Sequence, residues 1–134
     1  MTTPKAKFAG LALIAALCAG FTLGLTAPAW AGFDEGEAAY QRGDYATALR
    51  EWRPLAEQGY AEAQFFLGVM YSEGEGVPQD YSKAHMWFNL AASRYPPGED
   101  RDRVVNNRDI VAKMMTPAQI SEAQKLAREW KPKK

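Results

Sequence analysis

The strongest constraint on the fold is an internal repeat. Residues 43–59, GDYATALREWRPLAEQG, align with residues 79–95, QDYSKAHMWFNLAASRY, at a constant offset of 36. Identical or similar residues stand at equivalent positions of the two copies: Asp44 and Asp80, Tyr45 and Tyr81, Ala48 and Ala84, Trp52 and Phe88, Ala56 and Ala92. A period of roughly 20 to 50 residues is typical of stacked helical units that bury one face against a neighbour. We therefore expect stacked helix pairs.

The repeated unit carries start and stop signals for helices. Asp44 and Asp80 are predicted N-caps, because a carboxylate there accepts hydrogen bonds from the free amides of the first turn. Gly59 and Gly74 are predicted to end helices, since glycine adopts the left-handed conformation at little cost. Pro54 interrupts the first copy. We expect a bend or an early break there, because proline removes a donor and crowds the preceding turn.

The two units differ in the connector between their helices. The upstream helical segments end in Tyr40 and Tyr71, an offset of only 31, so the second connector is five residues longer. It contains Gly74-Glu75-Gly76-Val77-Pro78. A Gly-x-Gly turn can bind phosphate, but this one follows a helix, carries an acid at its centre and lacks a following Gly-Lys-Ser/Thr. We interpret it as a hinge of a helical hairpin.

A specific resemblance supports the helical interpretation. The second unit contains these residues at fixed spacing: Ala63, Leu67, Gly68, Tyr71, Gly74, Gly76, Val77, Asp80, Lys83, Ala84, Trp87, Ala91 and Ala92. This pattern resembles the Sel-1-like repeat family, which is related to tetratricopeptide repeats. The first unit, about Asp34 to Gly59, is similar more loosely, because it lacks the glycine connector and has Glu51 at the family tryptophan position. The resemblance implies a short all-α solenoid of about two repeats that acts as a protein-binding adaptor.

The helix from Ala61 to Glu73 is apolar almost all round, so both its sides need a cover. Phe65 and Val69 point away from the stripe of repeat residues on this helix. In a repeat solenoid the first helix of each pair lines the concave surface, which can hold a ligand segment. We therefore predict a binding groove formed by Gln64, Phe65 and Val69. The alternative is that the C-terminal part of the chain, Glu99 to Trp130, covers these residues.

The C-terminal part does not repeat, and it is predicted to contain two helices. After Pro96-Pro97-Gly98, apolar residues share one face of a helix from about Glu99 to Met115. Thr116-Pro117-Ala118-Gln119 is a start signal that combines an N-cap, a proline in the first turn and a capping box. A second buried stripe follows, made by Ile120, Ala123, Ala127 and Trp130. We expect residues 32–95 to form the two repeats, and residues 96–134 a capping helix pair with a basic tail.

The N-terminal residues 1–31 are typical of a cleavable signal peptide. Lys5 and Lys7 precede an apolar run from Phe8 to Leu25, and Ala29-Trp30-Ala31 provides small residues for cleavage after Ala31. This predicts a periplasmic or secreted protein. Retention as a membrane anchor is the alternative, because 18 apolar residues approach the length of a span. A lipidated Cys18 is a minor alternative.

The predicted mature chain has a nearly balanced charge and no cysteine. It contains 14 basic and 16 acidic residues, a net charge of −2. This balance gives no electrostatic reason to bind nucleic acid, and we interpret the Lys131, Lys133 and Lys134 tail as a solvated end. Without cysteine, the domain must be stabilised by packing alone. We predict a protein or peptide partner, with membrane contact only if the apolar segment is retained.

Catalytic groups are sparse. His85 is the only histidine, so no multi-histidine or thiolate zinc site can form in the mature chain. We interpret His85 as a surface or groove-edge residue. Glu73, Glu75 and Asp80 provide the only hypothesis of paired carboxylates for glycoside hydrolysis. We predict no catalytic residue, metal or cofactor. The leading function is an adaptor, and the alternatives are a structural accessory of the envelope and a cell-wall glycan hydrolase.

Overall fold

The computed structural model describes residues 29–134. The basic region and the apolar run of the predicted signal peptide lie outside the described residues, whereas the predicted cleavage point after Ala31 falls within the first helix. Across residues 29–134, none of the helices combines the length and the apolar character that a membrane span requires.

The described part of the chain is all-α, as predicted. Six helices follow one another without a strand: α1 (Ala29–Gln41), α2 (Tyr45–Glu57), α3 (Ala61–Glu73), α4 (Tyr81–Arg94), α5 (Glu99–Ala112) and α6 (Pro117–Glu129). The helix α1 packs against α2, α2 packs against α3, and α3 packs against α4. Short connections make sequential helices antiparallel. The chain therefore forms a short solenoid in which α1 and α2 are the first pair and α3 and α4 the second.

Hydrogen bonds at three helix starts confirm the predicted caps. Asp44 and Asp80 each accept a hydrogen bond from the amide three residues further on, at 3.2 and 3.0 Å. At the start of α6 the Gln119 amide donates to the Thr116 hydroxyl at 3.2 Å, and the Thr116 amide donates to the Gln119 side chain at 2.9 Å. The reciprocal bonds satisfy two amides that have no partner within the helix.

The glycine connector is a hinge, as predicted. Gly74 ends α3 with a φ of 71°, and Gly76 has a φ of 72°. A β-carbon on Gly76 would lie 3.0 Å from that of Tyr45, at the start of α2. The Tyr40 hydroxyl donates to the Glu75 carboxylate at 2.6 Å. The longer connector of the second pair is thus fastened to the first pair.

Pro54 does not break α2. The helix continues through this residue to Glu57, so the expected early break is wrong. Both Pro54 and Arg50 are exposed, and water can therefore solvate the Arg50 carbonyl, which loses its amide partner.

One buried cluster joins the two helix pairs, and aromatic rings dominate it. Trp52 is fully buried, stacks on Phe66 with ring centroids 4.5 Å apart, and donates its indole N–H to the Phe33 carbonyl at 3.1 Å. A β-carbon on Gly36 would lie 2.3 Å from this indole nitrogen. The first unit therefore uses a glycine of α1 to make room for the tryptophan of α2.

A second buried cluster lies between α3, α4 and α5. Phe88 of α4 is 1% exposed and packs with Val104 and Val111 of α5. Gly68 of α3 faces this ring, because a β-carbon there would lie 2.5 Å from two atoms of Phe88. The small residue therefore accommodates an aromatic ring as well as bringing two helices together.

The two C-terminal helices both pack against α4, and they make little contact with each other. The helix α5 closes the second cluster. The helix α6 lies on another side of α4, where Ala123 is fully buried and Trp130 meets Trp87 with ring centroids 6.4 Å apart. Each helix thus covers a different face of the second repeat.

Candidate functional site

The structure separates the three residues of the predicted groove. Gln64 is fully buried, and its side-chain amide donates to the Ala56 carbonyl at 3.0 Å. The side-chain oxygen of Gln64 has no partner within the described residues. The placement of Gln64 in a ligand groove therefore needs correction: this side chain ties α3 to α2. The helical spacing could have shown this, since Gln64, Leu67 and Tyr71 lie on one face.

Phe65 and Val69 are half-buried and lie on the side of α3 that α5 approaches. Both pack against the second cluster, and the Phe65 ring lies 5.8 Å from Phe88 and 5.3 Å from Phe66. Because Val104 and Val111 of α5 belong to the same cluster, the C-terminal part of the chain supplies much of the cover. Part of the Phe65 ring still faces a cavity.

This cavity lies between the first turn of α3 and the first turns of α5. Its volume is about 130 Å³, and its lining combines two phenylalanines with polar groups: Glu62, Phe65, Phe66, Tyr95, Asp100 and Arg103. A wider, open depression of about 540 Å³ adjoins it between the α2–α3 turn and the residues that follow α4. Glu62 and Tyr95 line both spaces. We call the two spaces together the α3–α5 cleft.

Carboxylates surround Glu62 on one side of the cleft, although the lining as a whole has two carboxylates and two guanidinium groups: Glu62, Asp100, Arg94 and Arg103. Loss of hydration at the cleft wall raises the pKa of Glu62, and the nearby carboxylates of Glu37, Asp100 and Asp34 add to this effect, while Arg103 opposes it. Burial raises the pKa of Tyr95 to about 12, and Glu62 and Asp100 contribute to that shift. A cationic group would be favoured here, because it would relieve the repulsion among these carboxylates.

Sequence reasoning missed Glu62, Tyr95, Asp100 and Arg103. Each is an ordinary polar residue near a helix end, and no local motif marks it. Residues almost 40 positions apart come together only because α5 packs beside α3 on α4. The apolar pattern identified Phe65 in the cleft, but not Phe66, which also lines it.

The interpretation of His85 as a surface residue is wrong. Its side chain is 3% exposed, and its Nδ1 has no hydrogen-bond partner within the described residues. Burial lowers the pKa of His85, and Arg108 lowers it further, while Asp109 opposes the shift. The spacing could have indicated burial, because His85, Phe88 and Ala92 share a helix face. Burial therefore favours the neutral form of the imidazole.

Two of the three carboxylates in the hydrolase hypothesis, Glu75 and Asp80, have structural partners, and the Glu73 carboxylate has no hydrogen bond or ion pair within the described residues. Glu75 accepts the hydrogen bond from Tyr40, and Asp80 caps α4. In residues 29–134, no cluster of histidine, cysteine and acidic side chains has an arrangement that could hold a metal ion. These contacts give Glu75 and Asp80 a structural role that explains their positions.

The antiparallel pairs, their shared aromatic cluster and the open cleft define an α-helical repeat protein. The family model of the Sel1 repeat matches residues 61–95, which comprise α3, the hinge and α4. This match agrees with the resemblance seen in the sequence pattern of the second unit, and Sel1 repeats generally mediate protein–protein interaction.

Similar proteins match over part of the chain. An exopolysaccharide production negative regulator from Rhizobium leguminosarum bv. viciae is 34% identical over 76 residues, which are 55% of this chain and 28% of the relative. The alginate biosynthesis protein AlgK from Azotobacter vinelandii is 38% identical over 63 residues, 47% of this chain and 14% of the relative. DAP3-binding cell death enhancer 1 from Rattus norvegicus is 40% identical over 42 residues, 31% of this chain and 8% of the relative. The chain thus spans less than a third of each of these relatives.

Proposed function

We propose that the protein is a periplasmic or secreted helical-repeat adaptor that binds a segment of another protein in the α3–α5 cleft. The observation that carries this proposal is the position of Phe65. Its ring forms an apolar floor with Phe66, and it faces an open space with a polar rim. An apolar centre surrounded by polar groups is the usual composition of a protein–protein contact. Val69 supports the floor from within the second cluster.

The charges of the rim indicate the chemistry of the partner. Asp100 forms an ion pair with Arg103, and Arg94 lines the open depression, whereas Glu62 has the carboxylates of Asp34 and Glu37 nearby. Glu62 is therefore the carboxylate of the rim that can receive a cationic group. Complementary charge increases the rate and the specificity of association. We therefore expect the bound segment to present a lysine or an arginine next to an apolar side chain that reaches the Phe65 floor.

The location is supported by the N-terminal sequence and by two relatives. The predicted signal peptide favours an adaptor outside the cytoplasm. Two bacterial relatives have names that refer to exopolysaccharide production and alginate biosynthesis. These names favour a role in the bacterial envelope, where the adaptor would hold together proteins of one assembly.

The proposal can be tested with a photo-crosslinking residue at position 103, on the cleft rim, and the same residue at position 122, on the exposed side of α6. We expect position 103 alone to cross-link a defined partner, which is then identified by mass spectrometry and purified. Glu62→Lys with Asp100→Lys should weaken binding of that purified partner by more than tenfold, whereas Glu122→Lys should leave it unchanged. Equal cross-linking at both positions, or equal binding by both variants, would refute the proposed site.

A further inference from the structure

The residues that follow α6 form a second contact surface of the molecule. Trp130 has an extended backbone, with φ of −66° and ψ of 137°, and the chain continues without helix through Pro132 to Lys134. We call Trp130–Lys134 the C-terminal segment. The expectation that its lysines form a solvated end is only partly correct. Although these lysines are exposed, the segment is bound to both helix pairs.

The first contact is with the end of α2. The Lys133 amide donates to the Glu57 carbonyl at 2.7 Å, and the Lys133 ammonium lies 3.1 Å from the Glu57 carboxylate. Carbonyls in the last turn of a helix have no partner inside the helix, and this end carries the negative pole of the dipole. The amide and the ammonium group of Lys133 therefore bind the carbonyl and the carboxylate of Glu57, respectively.

The second contact is with α4. The Trp130 ring meets Trp87 edge to face, and the Arg94 guanidinium lies 4.9 Å from the centre of the Trp130 ring. Arg94 also faces Gly59, where a β-carbon would lie 3.3 Å from the guanidinium carbon. A cation over an indole ring is a favourable contact. Arg94 thus links the aromatic part of the segment to the turn that follows α2.

We infer that the end of α2 together with Trp87 and Arg94 is a peptide-binding site, and that the chain's own C-terminal segment is its ligand. We call this site the tail site. Its ligand is an extended peptide in which a tryptophan precedes a lysine by three positions, with a proline between them. Proline keeps such a segment extended and lowers the entropy lost on binding. The tail site borders the α3–α5 cleft, because Arg94 also lines the open depression of the cleft, whereas Glu57 and Trp87 line neither of its two spaces.

Because the C-terminal segment belongs to the same chain as the tail site, a weak intrinsic affinity is enough to keep it bound. A segment joined by a short linker has an effective concentration of about 1 mM. The segment is therefore docked most of the time if its dissociation constant as a free peptide lies below about 1 mM. The C-terminal segment then occupies the tail site most of the time, and a peptide in solution can displace it at a sufficient concentration.

The experiment measures binding of a fluorescein-labelled peptide of residues 129–134 by anisotropy. The parent protein should bind it weakly, because the tail site is filled. A chain that ends at Glu129 should bind it with a dissociation constant below about 1 mM. Peptide with Trp130→Ala should lose binding, while peptide with Lys131→Ala, a position without a recorded side-chain contact, should bind unchanged. Glu57→Gln in the shortened chain should weaken binding about two- to fivefold, since it removes an exposed ion pair.

Two controls keep the inference falsifiable. The peptide is cationic and could bind near the carboxylates of Glu62 and Asp100 in the α3–α5 cleft, so the shortened chain with Glu62→Lys and Asp100→Lys must retain binding. Loss of binding in that variant would overturn the assigned location. If the shortened chain does not fold, the full-length Trp130→Ala, Lys133→Ala protein is the acceptor. A folded acceptor that shows no saturable binding at several times 1 mM peptide would overturn the inference.

Discussion

Gly68→Ala should destabilise the protein, although the same change in an open helix position stabilises. The new β-carbon would lie 2.5 Å from Phe88 Cδ1 and Cε1 and 3.0 Å from Cγ. Normal contact begins at 3.4 Å, so the ring or the helix must move by about 1 Å. Phe88 is 1% exposed and packs against Val104, which leaves the ring little space to move.

Two terms of opposite sign decide the magnitude of this effect. Alanine in place of glycine within a helix contributes about 1 kcal/mol of stability. Overpacking a close-packed core costs typically about 1–3 kcal/mol. The short contact with a buried ring favours the upper part of that range, so we expect a net loss of about 1–2 kcal/mol. For a domain of this size the midpoint of thermal unfolding should fall by about 4–16 °C.

The assay is urea and thermal unfolding followed by circular dichroism at 222 nm. Gly32→Ala is the matched control, because this helical glycine has no neighbour closer than 3.7 Å to the added carbon. It should leave the stability of the protein equal or slightly higher. The double variant Gly68→Ala, Phe88→Leu should be more stable than the sum of the single effects predicts, since the smaller side chain relieves the clash. If Gly68→Ala is as stable as the parent, or if the two effects simply add, the packing argument is refuted.

Three further predictions concern single groups. Because the pKa of His85 is lowered in the folded state, that state binds fewer protons than the unfolded chain, and stability should decrease as the pH falls from about 6.5 towards the lowered value. Urea unfolding should show a lower free energy of unfolding at pH 5 than at pH 7.5, with a smaller difference in His85→Gln than in the parent protein. An equal difference in both proteins would contradict this prediction. Tyr40→Phe should cost about 1 kcal/mol, because it removes the hydrogen bond to Glu75; chemical unfolding measures this, and no change would mean that the hinge is not fastened by this bond. Thr116→Ala should cost about 1 kcal/mol and fray the start of α6. Hydrogen exchange of the amides in the first turn of α6 should accelerate, while the amides of α3 stay protected. An equal acceleration in α6 and α3 would argue against a local cap.

Helix ends were predictable from the sequence because they depend on neighbours along the chain. Asp44, Asp80 and Thr116 cap helices as expected, and Gly74 ends α3. Each needs only a side chain or a backbone conformation within about one turn. The early break that the sequence analysis allows at Pro54 does not occur, since the cost of a missing hydrogen bond depends on whether water reaches the free carbonyl, which is a property of the tertiary surface.

Burial was less predictable for polar side chains. The sequence analysis predicts Gln64 in a groove and His85 at the surface or a groove edge, whereas the structure buries both side chains, in agreement with their helical spacing. The decisive fact for Gln64 is a carbonyl of α2 that accepts its amide proton, and sequence does not reveal that contact. Polarity of a residue type is therefore a weaker guide than its position on the helix.

The candidate site was predictable only in part. The apolar pattern identified Phe65 and Val69 on the side of α3 that α5 approaches. It could not decide between a partner and the C-terminal helices as their cover, because that depends on where α5 packs. The rim residues Glu62 and Asp100 carry no local signal, and only the packing of α3 and α5 on α4 brings them together.

The packing of α5 has a mechanical consequence for the cleft. In the smaller space of the cleft, one wall belongs to α3 and the other includes α5, and α5 is held mainly by α4, through Val104 and Val111. The width of the opening is therefore set by how α5 is seated on α4, and not by the stiff body of the two repeats. Mutations that weaken the packing of Val104 or Val111 should widen the opening of the cleft before they unfold the aromatic cluster around Trp52. The width of the opening and the global stability can therefore change separately.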